Sequence, residues 1–123
     1  MAWTRMDFTP AQAGETDLFG IDFIEDLSIF GGGEQLLSAV FTIGVVSGVD
    51  ATPSTHLAAA PYVAINPNTM TGLATLAVQK LSGLLAGVEY WLEAAAVTTQ
   101  GRTLELWARI PPEDPPEIWS QRQ

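Results

Sequence analysis

The strongest fold signal in this sequence lies in residues 81–98, which read Leu81-Ser82-Gly83-Leu84-Leu85-Ala86-Gly87-Val88-Glu89-Tyr90-Trp91-Leu92-Glu93-Ala94-Ala95-Ala96-Val97-Thr98. In its second half an apolar series occupies every second position, at Tyr90, Leu92, Ala94 and Ala96. A period of two is typical of a half-buried β-strand. The pattern predicts a strand over Val88–Thr98. Good helix formers in Leu92–Val97 leave a helix as the alternative there.

Similar alternation recurs along the rest of the chain, between closely spaced glycines and prolines that leave little room for helices of ordinary length. Seven strands are predicted, at Trp3–Phe8, Leu18–Ile24, Leu36–Val46, Tyr62–Ile65, Leu73–Leu81, Val88–Thr98 and Arg102–Ile110. Glu34–Val40 also contains helix formers, so a helix is the alternative at that point. Gln100-Gly101 fits a tight hairpin between the last two strands. Many short strands with regular turns predict an all-β sandwich.

The chain divides into three parts by composition. Residues 1–17 form an N-terminal arm with a first edge strand, 18–110 form the β-sandwich domain, and 111–123 form an extended C-terminal arm rich in proline and acidic residues. Proline-rich sequence favours polyproline II over pairing in a sheet. The alternating apolar residues predict a core made of Phe19, Ile21, Phe23, Leu37, Phe41, Ile43, Leu76, Val78, Leu84, Tyr90, Leu92, Leu104 and Leu106.

Three residues spaced three apart precede and open the sixth strand: Leu84, Gly87 and Tyr90. This spacing resembles the tyrosine corner of immunoglobulin-like and fibronectin-III-like domains, in which a tyrosine near the start of strand F hydrogen-bonds to upstream backbone. The resemblance implies that Leu84 fills the core, Gly87 permits the bend and Tyr90 supplies the hydroxyl. Trp91 and Trp107 lie opposite the main apolar face, which departs from the usual tryptophan positions. A fibronectin-III strand order and a related Greek key therefore both remain open.

Composition limits the classes of function. The chain has 123 residues, enough for one domain, and 47% of them are apolar, enough for a core. Fourteen acidic against five basic residues give a net charge of −9, which argues against nucleic-acid partners and anionic membranes. The absence of cysteine excludes disulfides and thiolate chemistry. Neither a signal peptide nor a membrane span is predicted.

No catalytic, cofactor or metal site is predicted. His56 stands alone in a proline-flanked loop, where a solvated side chain is the expectation. The acidic residues Asp17, Asp22, Glu25 and Asp26 lack the pattern of a calcium loop and are interpreted as a solvated edge. Glu89 and Glu93 on one strand face leave a glycosidase as the least favoured reading, and both are interpreted as surface residues.

The aromatic residues point instead to interactions. Four tryptophans are many for this length, and tryptophan is enriched at binding hot spots. At least one of Trp91 and Trp107 is expected to cap the core. The candidate partner-binding residues lie near the chain ends, where the C-terminal segment cannot bury an apolar side chain locally. They are Trp3, Pro115, Pro116, Ile118 and Trp119.

Over most of its length the chain also resembles small virion proteins of tailed phages and prophages with an immunoglobulin-like fold, of the fibre–tail adaptor type. Four features carry this resemblance: Asp7–Glu15, Phe19-Gly20-Ile21-Asp22-Phe23, the Leu84, Ala86, Gly87, Tyr90 pattern and the Thr98–Thr103 hairpin. The resemblance implies a non-enzymatic adaptor that joins tail fibres to the tail or neck through protein–protein contacts.

The implied partners are other virion proteins, namely the tail fibre and the tail tube, neck or portal-proximal adaptor. Several symmetric copies are implied, located in the virion after assembly in the host cytoplasm. Two alternatives stay open: a capsid decoration or head-fibre protein, and a stand-alone module that binds carbohydrate or a host surface.

Overall fold

The computed structural model describes residues 2–4, 16–67 and 71–112. The chain is an all-β sandwich, as the sequence predicts. Within the described residues the strands are β1 (Ala2–Thr4), β2 (Thr16–Asp22), β3 (Leu36–Ser47), β4 (Tyr62–Ile65), β5 (Ala74–Ser82), β6 (Glu89–Thr98) and β7 (Thr103–Ile110). The two segments with helical alternatives, Glu34–Val40 and Leu92–Val97, enter β3 and β6 as strands.

Two sheets make up the sandwich. The first has the strand order β1-β2-β5-β4 and the second has the order β3-β6-β7. All pairings are antiparallel except that between β1 and β2, which is parallel. The turn between β6 and β7 contains Gln100-Gly101, and Gly101 takes a φ of 77°, which favours glycine.

The inward faces of the two sheets form one apolar core. Large side chains on β2 pack across the sandwich against the inward residues of the other sheet, where β6 contributes the small Ala94 and Ala96. Each buried phenylalanine, isoleucine or leucine contributes about 1.5–3 kcal/mol to folding. The core includes Phe19, Ile21, Phe23, Phe41, Ile43, Leu92, Ala94, Ala96 and Ile110.

One predicted core residue is wrong. Leu37 is 60% exposed, because a bulge near the start of β3 shifts the register between Leu36 and Ser38. An extra residue in one strand breaks the alternation locally. Leu36 therefore points inward and Leu37 outward, and the predicted phase resumes at Ala39, which is buried.

The other predicted core residues are buried or half-buried. Leu104 and Leu106 are half-buried and pack against the core cluster. Leu76 and Val78 are fully buried on the face of β5 opposite to Ala77, which belongs to the core cluster. Helical structure is limited to short pieces among the described residues, namely α1 (Ile29–Gly32) and 3₁₀ turns at Ile24–Asp26 and Pro53–His56. No helix in this part of the chain is long and apolar enough to cross a membrane.

Candidate functional site

The outer face of the β3-β6-β7 sheet carries an unusual set of side chains. Because side chains alternate along a strand, the residues out of phase with the core meet on this face. The strand register aligns them in neighbouring rows across the sheet, one of Gly44, Trp91 and Arg109 and the next of Thr42, Glu93 and Trp107. We call this surface the Trp91–Trp107 face; it also includes Val40, Val46 and Val97.

The Trp91–Trp107 face exposes several large apolar side chains among its polar ones. Trp107 is 59% exposed and Val40 is 65% exposed, and both Val46 and Val97 are exposed as well. An antiparallel sheet that faces water on one side normally alternates apolar and polar residues. Large apolar side chains exposed close together on one face are a feature of interaction sites in soluble proteins.

Gly44 determines how the indole of Trp91 lies. A Cβ built at Gly44 would fall 2.2 Å from Cζ2 of Trp91, so only glycine leaves room for the ring. The indole therefore rests against the backbone of β3 and is half-buried. A shallow groove of about 370 Å³ opens beside it, lined by Val46, Trp91, Glu93, Trp107 and Arg109.

The charged groups of the groove contact their neighbours across the sheet. Arg109 Nη1 lies 3.6 Å from Glu89 Oε2, and the Thr42 hydroxyl donates to Glu93 Oε1 at 3.3 Å. Solvent-exposed contacts of this type contribute little to stability. Glu93 and Arg109 thus place one carboxylate and one guanidinium beside the two indoles, where a bound ligand can reach them.

The groove offers surfaces to which a ligand can bind. Its lining combines aromatic surface with a few polar groups, the usual composition of a recognition site. Across residues 16–67 and 71–112, no group of three histidine, aspartate or glutamate side chains could hold a metal ion. Both carboxylates of the glycosidase reading, Glu89 and Glu93, are half-buried on this outer face.

A second cluster surrounds the hydroxyl of Tyr90 near the start of β6. The Leu85 N–H donates to Tyr90 Oη at 3.1 Å, which is the upstream backbone contact of a tyrosine corner. The Tyr90 hydroxyl donates in turn to Asp50 Oδ2 at 2.6 Å. Leu84 is buried in the core, and Gly87 has a φ of 74°, a left-handed conformation that glycine adopts without strain.

His56 belongs to this cluster, and the expectation of a solvated histidine is wrong. Its side chain is buried, with Nε2 donating to Asp50 Oδ2 at 2.7 Å and Nδ1 lying 3.0 Å from the Ser82 carbonyl oxygen. The ring also meets Tyr90 edge to face, with centroids 5.5 Å apart.

The electrostatics of this cluster follow from its hydrogen bonds. Donation from Tyr90 and from His56 lowers the pKa of Asp50 from 3.8. Burial, together with the hydrogen bond to the Asp50 carboxylate, raises the pKa of Tyr90 from 10.0 to about 12. The cluster ties the Asp50 loop to the turn before β6, which is a structural role.

A third cluster, which the sequence reasoning missed, centres on Glu34. Its carboxylate is fully buried and accepts hydrogen bonds from Arg102 Nη2 at 2.6 Å, from the Thr98 hydroxyl and from the Ser28 N–H at 2.8 Å. The Arg102 guanidinium, with these other donors, lowers the pKa of Glu34 from 4.5 to about 2. Arg102 also donates to the Asp26 carbonyl at 2.7 Å. This cluster fastens the segment before β3 to the β6–β7 hairpin.

The expectation of a solvated acidic edge is wrong for Asp22. This residue is buried, accepting from the Asn66 side-chain amide at 2.8 Å and from the Ile24 N–H at 2.9 Å. Its position at the end of β2 makes it an anchor for the loop that follows β4.

The predicted partner-binding residues lie mostly beyond the structure. Trp3 falls in β1, opposite Gly20 in the register. Pro115, Pro116, Ile118 and Trp119 lie outside the described residues. The expectation that Trp91 or Trp107 caps the core is wrong, since both lie on the outer face. A glycine at Gly44, inside a long apolar strand, was the sequence signal for the groove, because such a glycine often marks a close approach.

We compared the chain with protein-family models, with curated proteins and with solved structures, and none matched.

Proposed function

We propose that this chain is a non-enzymatic structural module that binds other proteins through the Trp91–Trp107 face. The observation that carries the proposal is the exposed indole of Trp107 beside the indole of Trp91, which lies against the backbone at Gly44. Exposed valines lie on the same sheet face. Binding interfaces are enriched in aromatic residues and arginine at their centres and depleted in lysine. The groove contains two tryptophans and Arg109 and no lysine.

The module is of the immunoglobulin type in this proposal. The strand order β1-β2-β5-β4 against β3-β6-β7 corresponds to the A-B-E-D and C-F-G sheets of constant-type immunoglobulin domains. The Tyr90 hydroxyl contact with Leu85 supports the same assignment. The parallel pairing of β1 with β2 is a departure from a purely antiparallel arrangement.

The particular role we propose is that of an adaptor in a tailed-phage particle, which attaches tail fibres to the tail or neck in several symmetric copies. Support comes from the sequence resemblance and from the low content of charged residues, 15% against about 25% in ordinary globular proteins. A protein enclosed by neighbours needs less charged surface than a monomer in water. Its partners are then the fibre and the tail, neck or portal-proximal proteins.

Quantitative mass spectrometry of purified particles tests this role. An adaptor is expected at a low copy number relative to the portal ring, at its twelvefold symmetry or a small multiple of six. Hundreds of copies per particle would replace the adaptor with a capsid decoration or head-fibre protein. Absence from the particle would overturn the virion assignment altogether.

A second candidate, carbohydrate binding, is favoured by one feature of the same face. Sugar rings stack on flat aromatic surfaces, and charged side chains hydrogen-bond to their hydroxyls. Trp91 offers such a surface, with Glu93 and Arg109 beside it. Titrating purified protein with a panel of oligosaccharides while recording the indole Nε1–H resonances of Trp91 and Trp107 tests this candidate. Unshifted resonances across the panel would remove it.

A further inference from the structure

We infer that the groove beside Trp91 and Trp107 binds the C-terminal segment, residues 113–123, of a neighbouring copy of this chain. The inference rests on the proposed function, because it names one protein partner for the same face. In this inference each contact between symmetric copies is made by the groove of one copy and the C-terminal segment of the next.

The chemistry of the groove suits a proline-rich, aromatic peptide. Grooves that recognise polyproline II are lined by aromatic side chains, on which the ligand's rings and apolar groups pack. Here the indole of Trp91 lies against Gly44 and forms a floor, while Trp107 and Val46 complete the lining. The preformed conformation of a polyproline segment lowers the entropy lost on binding.

The segment has the matching composition. It reads Glu113-Asp114-Pro115-Pro116-Glu117-Ile118-Trp119-Ser120-Gln121-Arg122-Gln123, a diproline followed by two apolar residues. The pair Ile118-Trp119 supplies the apolar anchor that a binding hot spot needs. Within 113–123 these two residues are the largest apolar side chains, so they are the part that fills the groove.

The segment and the groove also carry opposite charges beside their apolar groups. In the segment, Glu117 directly precedes the apolar pair. In the groove, Arg109 lies opposite Trp91 in the strand register. Binding with Glu117 toward Arg109 sets a carboxylate of the segment against the guanidinium of the groove. Complementary charges of this kind fix the direction of a bound segment more than its affinity.

The direction of the chain after β7 favours a neighbouring copy over the same copy. The groove includes Trp107 and Arg109, close to where β7 ends at Ile110, so self-binding would need an immediate reversal. Pro111 and Pro112 follow at once, and proline fixes φ near −65° and holds the chain extended. Seven residues separate Pro112 from Trp119 in sequence, and at ~3.1 Å each a segment of that length can span up to roughly 22 Å, enough to reach a second domain.

Sedimentation or light scattering of the full chain and two full-length variants tests this inference. Trp119→Ala damages the segment and leaves the groove intact; Trp107→Ala damages the groove and leaves the segment intact. The wild-type chain is expected to self-associate head to tail, which gives rings or open chains. Each variant alone is expected to weaken association roughly thirtyfold or more.

Mixing the two variants gives the decisive result. One intact groove and one intact segment remain in the mixture, so a 1:1 dimer is expected that cannot extend further. Tyr62→Ala, which alters an exposed aromatic residue on the other sheet, is the control and is expected to associate like the wild type.

Three results would overturn the inference. Self-association of Trp119→Ala with loss in Trp107→Ala would mean that the face pairs with itself. A monomeric wild-type chain would mean that the segment of a neighbouring copy does not occupy the groove. If the mixture forms no 1:1 dimer, the C-terminal segment of one copy does not bind the groove of another. If Trp107→Ala is nevertheless lost from particles, the proposed function stands and only this partner is wrong.

Discussion

At the scale of single residues, the hydroxyl of Tyr90 joins three parts of the chain. It accepts from the Leu85 N–H before β6 and donates to Asp50 after β3, and the same carboxylate also accepts from His56. The contact with Leu85 follows from the spacing of Leu84, Gly87 and Tyr90. The contacts with Asp50 and His56 could not be predicted, because the path of the 48–61 loop has no periodic pattern.

The first prediction concerns this hydroxyl. Tyr90→Phe keeps the ring in the core but removes an acceptor for Leu85 and a donor for Asp50. We expect the free energy of unfolding to fall by about 1–3 kcal/mol, because buried polar partners are left unsatisfied. Urea denaturation measures the change, with Tyr62→Phe on an exposed ring as the control. A loss as small as that of the control would contradict the role of the hydroxyl.

The second prediction concerns how Glu34 affects the stability of the fold at low pH. The pKa of Glu34 is about 2 in the folded chain and ordinarily 4.5, so the unfolded chain binds the proton more readily between these values. Its contribution to stability is complete above pH 4.5 and is lost as the pH falls through about 2. The slope of the unfolding free energy against pH reports the difference in bound protons between the unfolded and folded chains. We expect Glu34→Gln to reduce that difference in this window by up to about one proton, or about 1.4 kcal/mol per pH unit.

Urea unfolding at several pH values between 2 and 6 measures that dependence. Glu105→Gln, on the exposed side of β7, serves as the matched control. The same slope in Glu34→Gln and in the wild type would show that the Glu34–Arg102 pair does not govern acid stability. The partly exposed Asp50 loop adds its own dependence in the same direction, since the pKa of Asp50 is also lowered.

At the scale of elements, the alternating pattern of β3 predicted most of its inward-facing residues and failed at one position. The period of two predicted the inward positions from Ala39 to Val45, because side chains of a paired strand must alternate. The bulge between Leu36 and Ser38 shifted Leu37 to the outside. A bulge depends on how β3 meets β6, so it leaves little trace in the sequence of β3 alone.

The third prediction tests the groove at this scale. Gly44→Ala places a methyl group where the indole of Trp91 lies, so the ring must move away from the sheet. We expect a loss of about 1–3 kcal/mol in unfolding free energy and a shift of the Trp91 indole Nε1–H resonance. Thr42→Ala, one position along the same outer face, is expected to leave that resonance nearly in place. An unmoved resonance in Gly44→Ala would contradict the described packing of Trp91.

At the scale of the whole molecule, the positions of the strands could be predicted from the sequence, but the surface that the outward side chains form could not. Glycines, prolines and alternation predicted strand ends to within two residues from β2 to β7, since turns need special backbone angles. Which outward side chains lie together depends on which strands are neighbours in the sheet. Trp91 and Trp107 lie 16 positions apart in sequence, and only the β6-β7 pairing brings them into neighbouring rows. Gly44 signals a close approach in the sequence, but which side chains line the groove follows from the sheet order.

Binding of partners through the Trp91–Trp107 face, as we propose, requires the exposed indole of Trp107 for incorporation into an assembly. For the proposed role in a tailed-phage particle, particles are assembled with the wild-type chain, with Trp107→Ala or with Tyr62→Ala, and the copies per portal are counted by quantitative mass spectrometry. We expect wild-type incorporation for Tyr62→Ala and a loss of most copies for Trp107→Ala, with both variants folded. Incorporation of Trp107→Ala at the wild-type level would show that the Trp91–Trp107 face does not bind the partners.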